Sequence, residues 1–114
     1  EKAEKAIYTE GATFLNVLAP CPRGWGYATE DLMKINKLAI DTCYWPLYEV
    51  VNGVYKITYK PAQKLPIEEF LRPQKRFKHM FKPGNEWMIE EFQKEVDKRW
   101  QELLNLEEMT NIAQ

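Results

Sequence analysis

Cys21 is the residue best suited to chemistry, because it sits between two prolines in Ala19-Pro20-Cys21-Pro22-Arg23-Gly24-Trp25. Each proline fixes its own φ and removes an amide donor, and Pro22 drives Cys21 toward extended backbone. The thiol is therefore presented stiffly. Directly before it runs Phe14-Leu15-Asn16-Val17-Leu18, an apolar stretch that reads as a buried strand. A thiol just past the carboxyl end of a strand stands where open α/β sheets place ligands. Against this stands the ordinary behaviour of a lone cysteine, which is more often an inert buried thiol than a ligand.

The other candidate ligands are few. Cys43 falls in the last turn of an expected helix beside Thr42 and Tyr44, which suits a packed thiol without chemistry. His79 has no acidic or thiol neighbour in sequence and reads as a surface histidine. Cys21, Cys43 and His79 are scattered and lack the Cys-x-x-Cys spacing of zinc or dithiol sites, so a four-ligand metal centre would need donors from outside these residues.

Several elements must position that cysteine. Residues 1–9 read as a helix stopped by Gly11, and Thr13 to Ala19 as a strand closing a βαβ unit. Pro20 to Gly26 is expected to be a loop. Thr29, with Glu30 and Asp31 behind it, resembles a helix cap, and the helix it opens should run to about Cys43 and lie on the sheet through Leu32, Ile35, Ala39 and Thr42. Asn52-Gly53 between two β-favouring runs predicts a hairpin. Lys60 to Pro66 reads as a linker, Ile67 to Leu71 as a short helix ended by Pro73, and the compact part is expected to close there. From Asn85 to about Met109 a long helix carries Met88, Phe92, Val96, Trp100 and Leu103 along one stripe.

Composition narrows the partners. With 114 residues, 45% of them hydrophobic, and four tryptophans, the chain holds at most one modest domain. A net charge of -1 gives no global attraction to nucleic acid or to an anionic membrane. No run approaches the ~20 apolar residues of a membrane span, and the charged start, Glu1-Lys2-Ala3-Glu4-Lys5, is unlike a signal peptide. A cytoplasmic location is expected. The opening inside a helix, without methionine, suggests a fragment of a longer polypeptide.

One segment runs against the neutral average. Arg72, Lys75, Arg76, Lys78, His79 and Lys82, interleaved with Phe77 and Phe81, form a basic aromatic patch that suits a subunit contact or an acidic electron carrier as well as a solvated linker. Trp25 and Trp45, beside turn residues, read as packing anchors. Arg23 suits either a solvated loop or an anionic partner.

The order Ala19-Pro20-Cys21-Pro22-Arg23-Gly24-Trp25, Trp45-Pro46-Leu47-Tyr48-Glu49, Asn52-Gly53, Pro66-Ile67-Glu68-Glu69-Phe70-Leu71 and Gln74-Lys75-Arg76-Phe77 resembles the end of the β subunit in the thiamine-dependent 2-oxoacid:ferredoxin oxidoreductases, notably those acting on pyruvate. The resemblance covers roughly residues 1–80. It implies an α/β fold in which residues 1–60 end a thiamine-diphosphate-binding domain (strand, helix, β-hairpin) and residues 61–114 form a linker and a C-terminal helical extension. It also implies a hetero-oligomeric enzyme that converts a 2-oxoacid and coenzyme A to an acyl-thioester and carbon dioxide, with electrons passing through a 4Fe-4S cluster to ferredoxin. Cys21 matches the fourth ligand of that cluster, the other three lying upstream. The Gly-Asp-Gly motif and asparagine that hold thiamine diphosphate and Mg2+ in the family have no counterpart here, so the segment alone should be inactive. Gly26 stands where the family more often carries a larger, basic residue. The alternative is a free-standing α/β interaction module, with Cys21 an ordinary thiol and the basic segment and long helix binding a protein partner.

Overall fold

The computed structural model describes residues 1–112. Seven helical segments and one hairpin follow in the order α1 (Lys2–Tyr8), α2 (Pro22–Trp25), a 3-10 turn (Thr29–Asp31), α3 (Leu32–Asp41), β1 (Tyr48–Val51), β2 (Val54–Ile57), α4 (Ile67–Leu71), a 3-10 segment (Lys75–Phe81) and α5 (Glu86–Ile112). The chain is thus α/β, with a small antiparallel sheet and a long last helix.

The hairpin forms as the sequence predicts. Asn52 and Gly53 have φ of 52° and 79°, the pair of left-handed residues that a type I′ turn requires, and Asn-Gly supplies them at least strain. Register follows, with Val51 opposite Val54 and Tyr48 opposite Ile57. The outward edge of β2 is met by α5, not by another strand. The Ile57 amide donates to Glu107 Oε2 (2.6 Å), the Tyr55 amide donates to Thr110 Oγ1 (2.9 Å), and Asn111 Nδ2 donates to the Tyr55 carbonyl (3.1 Å). Lys60 also pairs with Glu107 at 2.7 Å, and these donors hold its carboxyl below the usual glutamate range. On the opposite edge, α1 reaches β1 through Lys2 Nζ, which donates to the Tyr48 carbonyl (3.2 Å), and through a Lys5–Glu49 ion pair (2.9 Å).

The core lies elsewhere. Ile35, Ala39 and Cys43 of α3 and its exit, Ile67, Phe70 and Leu71 of α4, Met80, and Val96 of α5 form one buried cluster. It draws on both sides of residue 60. Tyr44 packs on Phe70 (4.5 Å) and on Phe92 (6.1 Å), and Phe77 meets Phe92 edge-on. Phe70 is wholly buried, at 0% exposure. The stripe Met88, Phe92, Val96, Trp100, Leu103 faces inward as its spacing predicts. Two side chains, one half-buried and one buried, complete the joints: Gln93 Oε1 accepts the first amide of α4, Ile67 N–H (2.7 Å), and Gln74 Nε2 donates to the Phe70 carbonyl (2.7 Å). The Leu65 amide donates to the Asp41 carbonyl and Lys64 pairs with Asp97, so residues 60–66 are fastened to α3 and α5.

Four expectations need correction. Thr13 to Ala19 is not a strand: among the described residues its backbone finds no ladder partner, and both outward edges of the hairpin are already occupied by side chains. Helix α3 packs on α4 through Ile35 and Ala39, not on the sheet, since the sheet's helical neighbour is α5. Thr29 does not cap α3; it begins a 3-10 turn whose Asp31 amide donates to the Ala28 carbonyl. The compact part does not close near Pro73, because Met80 and Val96 belong to the same buried cluster as α3.

Candidate functional site

Cys21 stands at the junction of two contrasting segments. The stretch before it has no regular secondary structure and is largely open to solvent, with Phe14 87% and Val17 77% exposed. The stretch after it is one helical turn, α2, where a loop was expected. Its cause is local: Pro22 occupies the first helical position, where its missing N–H costs nothing and its φ is already helical. Cys21 is the cap residue, with extended backbone (φ -101°, ψ 111°), and the Gly24 amide donates to its Sγ at 3.3 Å. The thiol itself is exposed.

Gly26 ends the turn with φ 76°, and its amide donates to the Pro22 carbonyl. A Cβ added there would lie 2.7 Å from the Lys75 Cβ, and the Lys75 amide donates to the Gly26 carbonyl at 2.9 Å. Glycine at this position is therefore fixed by its positive φ and by the close approach of Lys75.

Two side chains bolt the turn to the body. Trp25 meets Phe70 edge-on at 6.1 Å, and the Arg76 guanidinium lies 3.9 Å over the Trp25 ring and 4.4 Å over Phe77. Arg76 Nε donates to Gln74 Oε1 at 2.6 Å, and burial lowers its pKa from the ordinary arginine value. Cation–π contacts of this kind contribute about 0.5–2 kcal/mol each. Trp25 is thus an anchor, as its sequence context predicts. Arg76, which in sequence is one cation of the basic aromatic patch, is half-buried beneath the cysteine turn. Nothing in the sequence marks it, because the pairing joins segments far apart in the chain.

Tyr27 is a further residue that the sequence does not single out. Its hydroxyl is buried without a hydrogen-bond partner among the described residues. Burial pushes its phenol pKa up, and the negative charge of a Cys21 thiolate adds to that rise.

Cys43 and His79 join neither this site nor each other. Cys43 is 3% exposed and sits at φ 62° just after α3, and burial pushes its thiol up to about 11. At pH 8 such a thiol is about one-thousandth ionised. Iodoacetamide at pH 8 is therefore expected to alkylate Cys21 in the folded, metal-free protein and to reach Cys43 only after denaturation. Peptide mass spectrometry reads this directly, and equal rates at the two thiols would refute the assignment of one open and one inert cysteine. His79 is exposed, and its carbonyl accepts a bond from Asn85. Among the described residues no three Cys, His, Asp or Glu side chains gather to hold a metal. The geometry offers one thiolate, held open on a rigid turn, as a single donor toward a soft metal or an iron-sulfur centre.

No protein-family model matches the chain. Individual relatives do. It is 47% identical over 110 residues to "Pyruvate synthase subunit PorB" of Thermotoga maritima, covering 96% of this chain and 34% of that subunit. The same-named subunit of Methanocaldococcus jannaschii is 44% identical over 98 residues, covering 86% and 32%. "Ketoisovalerate oxidoreductase subunit VorB" of Pyrococcus furiosus is 43% identical over 110 residues, covering 95% and 34%. The chain spans about a third of the length of the curated relatives it matches.

Proposed function

Because this chain belongs, over nearly its whole length, to the β-subunit family of the 2-oxoacid:ferredoxin oxidoreductases, we propose that it is the C-terminal portion of such a subunit and lends Cys21 to a 4Fe-4S cluster. The observation that carries the reading is the open thiol on the Pro22–Trp25 turn. A ligand held at a helix cap by backbone geometry loses little freedom on binding. The turn's surroundings suit the group: Sγ already accepts the Gly24 amide, the Tyr27 hydroxyl is a buried donor without a partner, and N–H or O–H donors to cluster sulfur raise its potential.

One-electron transfer is the chemistry a bound cluster supplies. This chain's own residues position one sulfur, exclude water on the Trp25 side and hold a cation, Arg76, beneath the turn. The remaining cluster ligands, thiamine diphosphate, Mg2+ and coenzyme A are assigned to other parts of the assembly. Residues 1–60 would then end the thiamine-diphosphate domain, and the run from Phe14 to Leu18, exposed as far as Val17, would be a strand awaiting neighbours. Apolar side chains on both faces suit a strand covered on both sides within a parallel sheet. A cytoplasmic complex with ferredoxin as acceptor completes the reading. The interaction-module alternative has less support, since the relatives are named as oxidoreductase subunits.

Pyruvate is the substrate favoured. Relatives are named for both pyruvate and ketoisovalerate, so the test is a comparison. The native assembly containing this chain, assayed without oxygen, is expected to reduce ferredoxin only with a 2-oxoacid and coenzyme A. Pyruvate should exceed 3-methyl-2-oxobutanoate in kcat/KM by about tenfold or more, the discrimination a pocket achieves against extra methyl groups. Absence of any 2-oxoacid-dependent reduction would overturn the proposal.

A further inference from the structure

Arg76 lies where a cation is hard to keep. Lys75 and Lys78 of the same 3-10 segment are exposed, whereas Arg76 is half-buried and has no carboxylate partner among the described residues. Its Nη2 is buried without any hydrogen-bond partner among them. A buried charge with an unpaired donor opposes folding, so fold stability alone does not account for arginine here. What the guanidinium has is a plane and one bond. It lies 3.9 Å over the Trp25 ring and 4.4 Å over the Phe77 ring, and its Nε donates to Gln74 Oε1 at 2.6 Å. Gln74 is 1% exposed and is itself pinned, since its Nε2 donates to the Phe70 carbonyl. At the other end Trp25 closes the cysteine turn, its amide donating to the Cys21 carbonyl at 2.8 Å. A continuous set of contacts thus runs from buried Phe70 through Gln74, Arg76 and Trp25 to Cys21.

We propose that Arg76 is the positioning residue for Cys21, fixing the cysteine turn through the flat face and the Nε–H of its guanidinium and not through its charge. The role rests on the enzyme reading above, in which the Cys21 thiolate ligates iron. Other contacts hold the turn less directly. The Lys75 amide reaches only Gly26, after the turn, and Phe70 meets the indole at a steep angle. Arg76 stacks on the indole and ties that stack to the buried Gln74. A guanidinium can stack on a ring and keep an N–H bond in its own plane, whereas an ammonium group carries the same charge with neither plane nor Nε. A thiolate on a loosened turn still reaches iron, but the bond opens more often, because groups behind a ligand set how well it is held.

The test uses the intact assembly with its cluster, and follows iron release to a chelator by absorbance. Arg76→Lys is expected to release iron about tenfold faster than the unsubstituted assembly, and Arg76→Met to do the same, since both lack the plane and the Nε–H. The electron paramagnetic resonance spectrum of the reduced cluster should shift in both. Val96→Ala, which removes a buried side chain of α5 with no part in this set of contacts, is the control for general loss of stability and should release iron at the unsubstituted rate. Trp25→Phe should also speed release, and Arg76→Lys/Trp25→Phe should be no faster than the faster single variant, because the two residues act as one contact. Retention of the unsubstituted rate and spectrum by Arg76→Lys would overturn the inference, leaving charge as the whole of the effect. So would equal release from Val96→Ala, or additive rates in the double variant. Failure of the enzyme reading is distinct, since the unsubstituted assembly would then hold no cluster iron to release.

Discussion

Replacing Cys21 by alanine in the intact oxidoreductase is expected to deplete cluster iron and acid-labile sulfide and to cut ferredoxin reduction by more than a hundredfold, while leaving the fold in place. The separation of these effects follows from where the thiol sits. Its Sγ is exposed and accepts a single bond, from the Gly24 amide. That amide turns to water when the sulfur is removed, so the loss of stability is that of a weak cap, about 0.5–1 kcal/mol. Loss of an outer partner of a metal ligand already costs about 10–100-fold in affinity or activity, and loss of a ligand should exceed this. Cys43→Ala is the matched control, for it removes a buried thiol that faces the core and should leave iron unchanged. Iron and sulfide analysis with anaerobic spectroscopy gives the reading. Full iron and full ferredoxin reduction in Cys21→Ala would remove this residue from the ligand set.

Phe70→Ala should be the most damaging single change to stability, lowering it by about 3–5 kcal/mol. Phe70 is at 0% exposure and joins the two halves of the aromatic cluster, stacking with Tyr44 at 4.5 Å and receiving the edge of Trp25 at 6.1 Å. Each such pair adds about 0.5–1.5 kcal/mol beyond burial. A domain of this size has only about 5–15 kcal/mol in total, so the variant would retain little. Urea unfolding of the full-length subunit, read by tryptophan fluorescence, measures the difference. A loss at Phe70 below about 1.5 kcal/mol would show that the cluster is not centred there.

Local rules made some of this architecture legible. Asn52-Gly53 specified its turn because the two residues themselves supply the needed φ, and the stripe from Met88 to Leu103 specified a face because helical spacing is a property of one segment. The stiffness of the cysteine turn was legible for the same reason, through Pro20 and Pro22. Its helical form was not, since the same prolines and glycines that open and end a single helical turn also build irregular loops. The stacking of Arg76 on Trp25 is not legible, because charge, read along the chain, does not disclose a partner in a distant segment. The run Thr13 to Ala19 has the composition of a strand, but a strand is a relation between two segments. Composition reports only one of them.

The side chains that seal the hairpin have a consequence for how β structure can grow in a polypeptide the length of the relatives. A third strand could join β2 only by evicting Glu107, Thr110 and Asn111, and could join β1 only by displacing Lys2 and its carbonyl bond to Tyr48. Polar side chains thus act as terminators at either rim. The hairpin is a finished ornament, and among the described residues Thr13 to Ala19 is the apolar run left without a ladder partner.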